Sequence, residues 1–114
     1  MKQDDRIFLQ HILDEINYLS NESRVLTYEK LIENETLKRS FARSIEIIGE
    51  AIKNISEKLR KKYNTIEWKK IAGMRDVLIH HYFGVDYNVM WDVVKKRLPD
   101  LKVEIENILK NINF

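Results

Sequence analysis

Apolar residues recur along this chain at intervals of three and four, the period of a helix face, and nowhere in the sustained alternation that would call for a sheet. A first helix is expected from about Asp4, as its N-cap, to about Ser20, with Phe8, Ile12, Ile16 and Leu19 on one stripe. A short second helix covers about Tyr28 to Ile32. The clearest element runs from about Thr36 to Lys62, where Phe41, Ile45, Ile48, Ile52, Ile55 and Leu59 follow one another at spacings of 4, 3, 4, 3 and 4. Such a seam packs along its length against another helix. Ile47 and Ala51 widen the apolar face, so this helix is expected to serve both the core and a neighbour, with Gly49 permitting close approach.

A fourth helix is expected from about Ile66 to Phe83, ended by Gly84 in the left-handed conformation. A fifth begins at Tyr87 and carries Val89, Met90, Val93 and Val94. Pro99 lacks an N–H and clashes with the preceding turn, so it should interrupt this helix and sit in the first turn of a sixth, at about 99 to 112. Leu101, Ile105, Ile108 and Ile112 give that last helix its stripe. With three Gly and one Pro in 114 residues, breakers are scarce. The expected fold is all-α, an up-and-down bundle of about five to six helices in one domain spanning residues 1–114.

Composition narrows the class further. A content of 44% hydrophobic and 33% charged residues is that of a soluble helical domain with a modest core. The absence of cysteine excludes disulfides, thiolate nucleophiles and Cys-based zinc sites, and fits a cytoplasmic protein. Residues 1–6 lead into an amphipathic run and not a signal peptide, and no stretch approaches the ~20 apolar residues that cross a bilayer. No membrane partner is expected.

The net charge of +2 hides an asymmetry. Residues 1–36 hold four basic and eight acidic side chains, residues 37–114 sixteen and ten. Much of the excess is local: Lys58, Arg60, Lys61, Lys62, Lys69 and Lys70 fall within thirteen residues, opposed only by Glu67. Cations at a helix end complement its dipole, and that reading suffices for Arg60 to Lys62. The same patch attracts a polyanion, and Lys61, Lys62, Lys69 and Lys70 are the candidate RNA-binding set. Tyr63 and Trp68, interleaved with these cations, are placed either to stack on bases or to pack at helix ends.

The chemistry concentrates in Arg75-Asp76-Val77-Leu78-Ile79-His80-His81-Tyr82. A guanidinium, a carboxylate, two imidazoles and a phenol stand together where a plain core helix would want none of them. On a continuous helix at about 100° per residue, Asp76 and His80 are an i,i+4 pair, and the carboxylate can fix the imidazole's tautomer. Arg75 and His80, five apart, diverge by roughly 140°. They converge only if the helix breaks near Ile79 or if a second copy of the chain completes the site.

Arg75, His80 and Tyr82 form Arg-x4-His-x-Tyr, which resembles the signature of the HepT-like branch of the HEPN domains. Trp68-Lys69-Lys70-Ile71-Ala72-Gly73-Met74 leads into the motif, and Phe83-Gly84-Val85-Asp86 and Trp91 follow it, as in that family. The likeness covers essentially the whole chain, its specific part being residues 66–94. Asp76 suits the variable polar position after the family's arginine, and no departure removes a functional group. The resemblance implies a HEPN-like fold and a metal-independent endoribonuclease acting as a toxin. It also implies a homodimer that brings two motifs into one cleft, and a minimal nucleotidyltransferase antitoxin that transfers AMP to Tyr82. The other reading, from a different class, is a non-catalytic helical subunit that binds a nucleotide or substrate for a nucleotidyltransferase. A purely structural dimerisation module is a third.

The residue types suit RNA cleavage. RNA carries its own nucleophile, the 2′-OH, so cleavage needs a proton carrier and a cation for the charge growing on the phosphoryl oxygens. An imidazole and a guanidinium supply these, and no metal or cofactor is required. No glycine-rich phosphate loop and no His-Glu-x-x-His zinc motif is present. His80 and His81 are adjacent and would diverge on a helix, and His11 reads as a packing or surface residue. Helix-turn-helix DNA recognition would leave the motif unexplained.

Overall fold

A computed structural model describes residues 3–80 and 84–112, with side-chain positions for all of these except residues 3, 4, 77, 79 and 80. Helix α1 (Gln3–Ser23) is the central strut, packed against α3 (Glu35–Lys53) along one side and α8 (Leu98–Asn111) along another. Leu9, Ile12, Ile16 and Leu19 supply its fully buried face. Phe8, expected on that stripe, lies at its edge, and Leu9 takes the inner place. The helix also begins at Gln3, so Asp4 is inside it and not at the N-cap. Helix α2 (Tyr28–Glu33), close to its expected span, is capped by the Thr27 hydroxyl, which accepts the N–H of Lys30 at 3.2 Å.

The long helix expected over 36–62 is two. Helix α3 ends at Lys53 and α4 (Glu57–Lys62) starts after an N-cap at Ser56. The cause is a distant residue. Buried Asp5 on α1 accepts the Ser56 N–H at 2.8 Å and the Ser56 hydroxyl at 2.6 Å, and the same hydroxyl accepts the N–H of Leu59 at 3.2 Å. An interior helical N–H would be bonded four residues back, so this arrangement requires the break. All six seam residues from Phe41 to Leu59 are nonetheless buried, because α4 turns its apolar side to the same core. Asp5→Ala would leave a shielded backbone N–H unpaired. We expect it to cost about 1.5–3 kcal/mol, the range for hydrogen bonds to a charged group, read as a lowered denaturant midpoint; an unchanged midpoint would mean that water replaces the carboxylate.

The helix expected over 66–83 is broken twice. Helix α5 (Trp68–Ala72) and α6 (Met74–Leu78) meet at Gly73, a poor helix former. Beyond Leu78 the chain is extended: Ile79–His80 (β1) pairs antiparallel with Gly84–Val85 (β2), with Ile79 opposite Val85 and His80 opposite Gly84. Gly84 does adopt a positive φ of 82°, as its sequence position suggested, but it does so in this hairpin and not as a helix cap. The Asp86 N–H donates to the Leu78 carbonyl at 2.8 Å, tying the helix end to the returning chain. The Asp86 carboxylate then caps α7 (Tyr87–Asp92) by accepting the Val89 N–H.

Pro99 sits in the first turn of α8, as expected, yet no interruption separates it from α7. The chain passes through a π-helical turn, Val93–Arg97, and continues to Asn111. One inserted residue per turn relieves the clash of the proline ring with a carbonyl four residues earlier, so a bulge takes the place of a break. The described residues form an all-α bundle with one small hairpin, and α3 carries α5 and α6 on its flank.

Candidate active site

Arg75 stands on α6, beside α3. A Cβ built on buried Gly49 of α3 would lie 3.6 Å from the Arg75 Cβ and 3.5 Å from the Ala72 carbonyl oxygen, ordinary packing distances, so the arginine's stem is seated while its head is not. The side chain is 35% exposed, and its Nη1 lies 3.3 Å from the Oδ1 of Asp76. An ion pair between neighbours this exposed contributes little to stability, and the guanidinium remains available to an anion. Gly49 therefore accommodates the motif helix without being forced to be glycine.

The face shared by Asp76 and His80 on a continuous helix does not exist, because α6 stops at Leu78 and His80 is on β1. The carboxylate's described partner is Arg75. With His80 off the helix, the roughly 140° phase of a continuous helix does not apply to it; a break near Ile79 is the first of the two conditions under which the sequence allows the pair to converge. The His80 side chain, and all of His81, Tyr82 and Phe83, lie outside the described residues.

Of the basic cluster, Lys61, Lys62, Lys69 and Lys70 are exposed, while Arg60 is turned inward and donates to the Ile52 carbonyl at the end of α3. Arg60 thus serves the end of α3 and not, as expected, the end of the helix that carries it. Lys70 lies 3.6 Å from Glu67, and Lys62 sits 5.7 Å from the centre of the Tyr63 ring. Trp68 is 5% exposed and its indole N–H donates to the Tyr63 carbonyl, so of the two readings of this aromatic the packing one holds. His11 is exposed, edge-on to Phe8.

One feature escaped the sequence altogether. An open groove of about 360 Å³ runs between α5–α6 and the segment from α7 to α8. Met74, Leu78, Val89, Val93 and Leu101 form its floor, and Lys70, Arg97, Asp100 and Glu104 stand around it. Partial burial, and then the neighbouring Asp100 carboxylate, push the Glu104 carboxyl above the usual carboxylate range. Each lining residue alone reads as an ordinary position on an amphipathic helix, and only the fold brings three elements to one opening. Among the described residues no three His, Asp or Glu side chains are grouped as metal ligands. No described helix is long and apolar enough to cross a membrane.

Comparison with known proteins points to ribonucleases. "Putative RNase TTE0752" of Caldanaerobacter subterraneus subsp. tengcongensis is 43% identical over 92% of this chain and 94% of its own length. "Putative RNase MJ1216" of Methanocaldococcus jannaschii is 43% identical over 97% and 92%. "Probable ribonuclease HepT" of Thermococcus cleftensis is 36% identical over 96% and 100%. No solved structure matches the chain. Residues 11–108 match the family model described as Ribonuclease HepT-like, and on this span and these relatives the chain belongs to the HepT-like ribonucleases.

Proposed function

We propose that this ribonuclease is a metal-independent endoribonuclease that uses Arg75 and His80 as its catalytic pair. The 2′-OH of the substrate attacks the adjacent phosphorus, the 5′-oxygen leaves, and His80 moves the proton between them. The Arg75 guanidinium meets the phosphoryl oxygens with two parallel hydrogen bonds, and Asp76 supports it from the side. Lys61, Lys62, Lys69 and Lys70 draw the RNA backbone towards the motif.

The observation that carries this reading is the end of α6 at Leu78. In an unbroken helix the two motif groups would face apart; with His80 on an extended segment they are free of that phase, in a family of ribonucleases. The test is incubation of RNA with the purified chain alone in EDTA. Cleavage supports the nuclease. Nucleotide binding without cleavage would instead favour a non-catalytic subunit of a nucleotidyltransferase.

In this proposal the chain is the toxin of a toxin–antitoxin pair and works as a symmetric homodimer in the cytoplasm. A two-fold interface presents the same patch twice, so one short motif can supply four groups to a single cleft. Light scattering at micromolar concentration should give the dimer mass, and a monomer would count against a composite site.

The antitoxin is a minimal nucleotidyltransferase acting on Tyr82. Its phenol oxygen attacks the α-phosphorus of a nucleoside triphosphate, pyrophosphate leaves, and the phenolic proton passes to a base. The added phosphodiester can pair with Arg75 and occupy the place of the scissile phosphate, so inhibition needs no unfolding. After co-expression with the transferase, intact mass spectrometry should show one or more added AMP groups on the wild type, with loss of activity, and none on Tyr82→Phe. Equal modification of the two would assign the acceptor elsewhere.

A further inference from the structure

We propose that the groove between α6 and α8 is a guanine-binding subsite, which seats a base next to the scissile phosphate and gives the enzyme a sequence preference. The proposal rests on the ribonuclease reading for its place in the reaction, while the binding itself does not. Three observations meet at this groove.

The first is position. Met74 and Leu78 of its floor flank Arg75 and His80 in the chain: Met74 precedes the arginine, and Leu78 is the last helical residue before the extended Ile79–His80. Arg75 is not in the lining, but it adjoins Met74 on α6, so a base on this floor is within about one helical turn of the arginine's backbone, a span that a neighbouring nucleotide can bridge. The second is shape and polarity. An apolar floor accepts an aromatic ring, and about 360 Å³ is ample for a purine with room for its ribose at the open side. Asp100 and Glu104, one turn apart on α8, stand at one wall, while Arg97 and Lys70 are also on the rim. Asp100, Glu104 and Arg97 make no hydrogen bond or ion pair to other described residues, so their polar capacity is open to a ligand. The third is the π-helical turn itself. It contributes Val93 and Arg97 to the groove, and such bulges recur at functional sites because they re-aim side chains that a regular helix would place elsewhere.

The choice of base follows from donor and acceptor counting. An ionised carboxylate offers two acceptor oxygens and no donor. Guanine presents N1–H and an N2 amine side by side, which satisfy both oxygens of one carboxylate. Adenine and cytosine set their amine beside a ring nitrogen with a lone pair, which faces the second oxygen with repulsion, and uracil offers one N–H between two carbonyls. The half-buried Glu104, partly shielded from water, is the better-placed of the two acids. Arg97 and Lys70 then face the phosphates on either side of the base. One good bidentate contact discriminates by about 5- to 150-fold.

The test titrates methyl-labelled full-length protein with GMP, IMP and AMP and follows Leu78, Met74 and Leu101 by NMR. GMP should shift these resonances, IMP, which lacks the N2 amine, should bind at least several-fold more weakly, and AMP should leave them in place. Glu104→Gln, checked for a native spectrum, should lose the distinction between GMP and AMP. Equal responses to the three nucleotides, or none at millimolar concentration, would overturn the subsite whether or not the protein cuts RNA. A second arm maps cut sites on a mixed-sequence RNA. Guanine enriched beside the cut in the wild type and not in Glu104→Gln is the expected result. Cutting with no such bias overturns the subsite and leaves the nuclease standing, whereas absence of cutting with intact GMP selectivity overturns the nuclease and leaves the subsite. Methyl shifts produced only by the nucleotidyltransferase would mark the groove as a protein interface and end the proposal.

Discussion

Replacing His80 with alanine is expected to lower the rate of RNA cleavage by ~10²–10⁴-fold, the usual contribution of a positioned proton-transfer group. Arg75→Ala should do comparable damage, because nothing else on α6 offers a permanent, bidentate charge to the phosphoryl oxygens. Neither change should unfold the protein. Arg75 carries its head at the surface, and its exposed pair with Asp76 contributes little to stability. His80 stands at the end of a two-residue strand, where backbone pairing with Gly84 is independent of the side chain. Circular dichroism should therefore be unchanged while activity falls. His81→Ala is the control: it falls at a variable position of the family motif, and its effect should be smaller. Wild-type cleavage by a nuclease-free preparation of the His80 variant would remove His80 from the mechanism.

A substrate carrying a single 2′-deoxy substitution at the cut site is expected to resist cleavage altogether at that bond. In the proposed mechanism the 2′-oxygen is the attacking atom, so its removal leaves His80 and Arg75 with a phosphate they can hold and nothing to activate. The sequence points the same way through its residue types: an imidazole and a guanidinium provide proton transfer and charge stabilisation. Efficient cutting of the deoxy-substituted bond would require an activated water, which is a different reaction.

Much of the fold was legible in the chain because burial follows the helix period. The seam from Phe41 to Leu59 is buried at all six positions, and the stripe from Leu101 to Ile112 lies in the core as expected. What local sequence could not carry are the interruptions. Ser56 is a good N-cap residue, but Asn54-Ile55-Ser56 continues a helical pattern, and the break depends on Asp5, 51 residues away. The strands are two residues each, too short to show a period of two. Pro99 pointed to an interruption that the chain does not make: a π-helical bulge at Val93–Arg97 accommodates the proline, and local sequence does not distinguish a bulge from a break.

The site divides in the same way. Arg75, Asp76, His80 and Tyr82 could be named as candidates from the motif, because its residue types and spacing are chemical information held in a few adjacent positions. The relation between Arg75 and His80 could not, since it turns on where α6 ends. The groove was invisible because its floor and rim come from residues scattered between 65 and 104. Trp68 illustrates the limit of reading aromatics among cations: the pattern suits base stacking, yet its indole N–H is bonded to the Tyr63 carbonyl and its rings are in the core.

The most direct test of metal-free cleavage by the 2′-OH is the chemistry of the new ends. RNA cut by the purified wild-type chain in EDTA should carry a 2′,3′-cyclic phosphate on one fragment and a 5′-hydroxyl on the other. A 5′-phosphate with a 3′-hydroxyl, or cleavage that appears only when magnesium is restored, would contradict it.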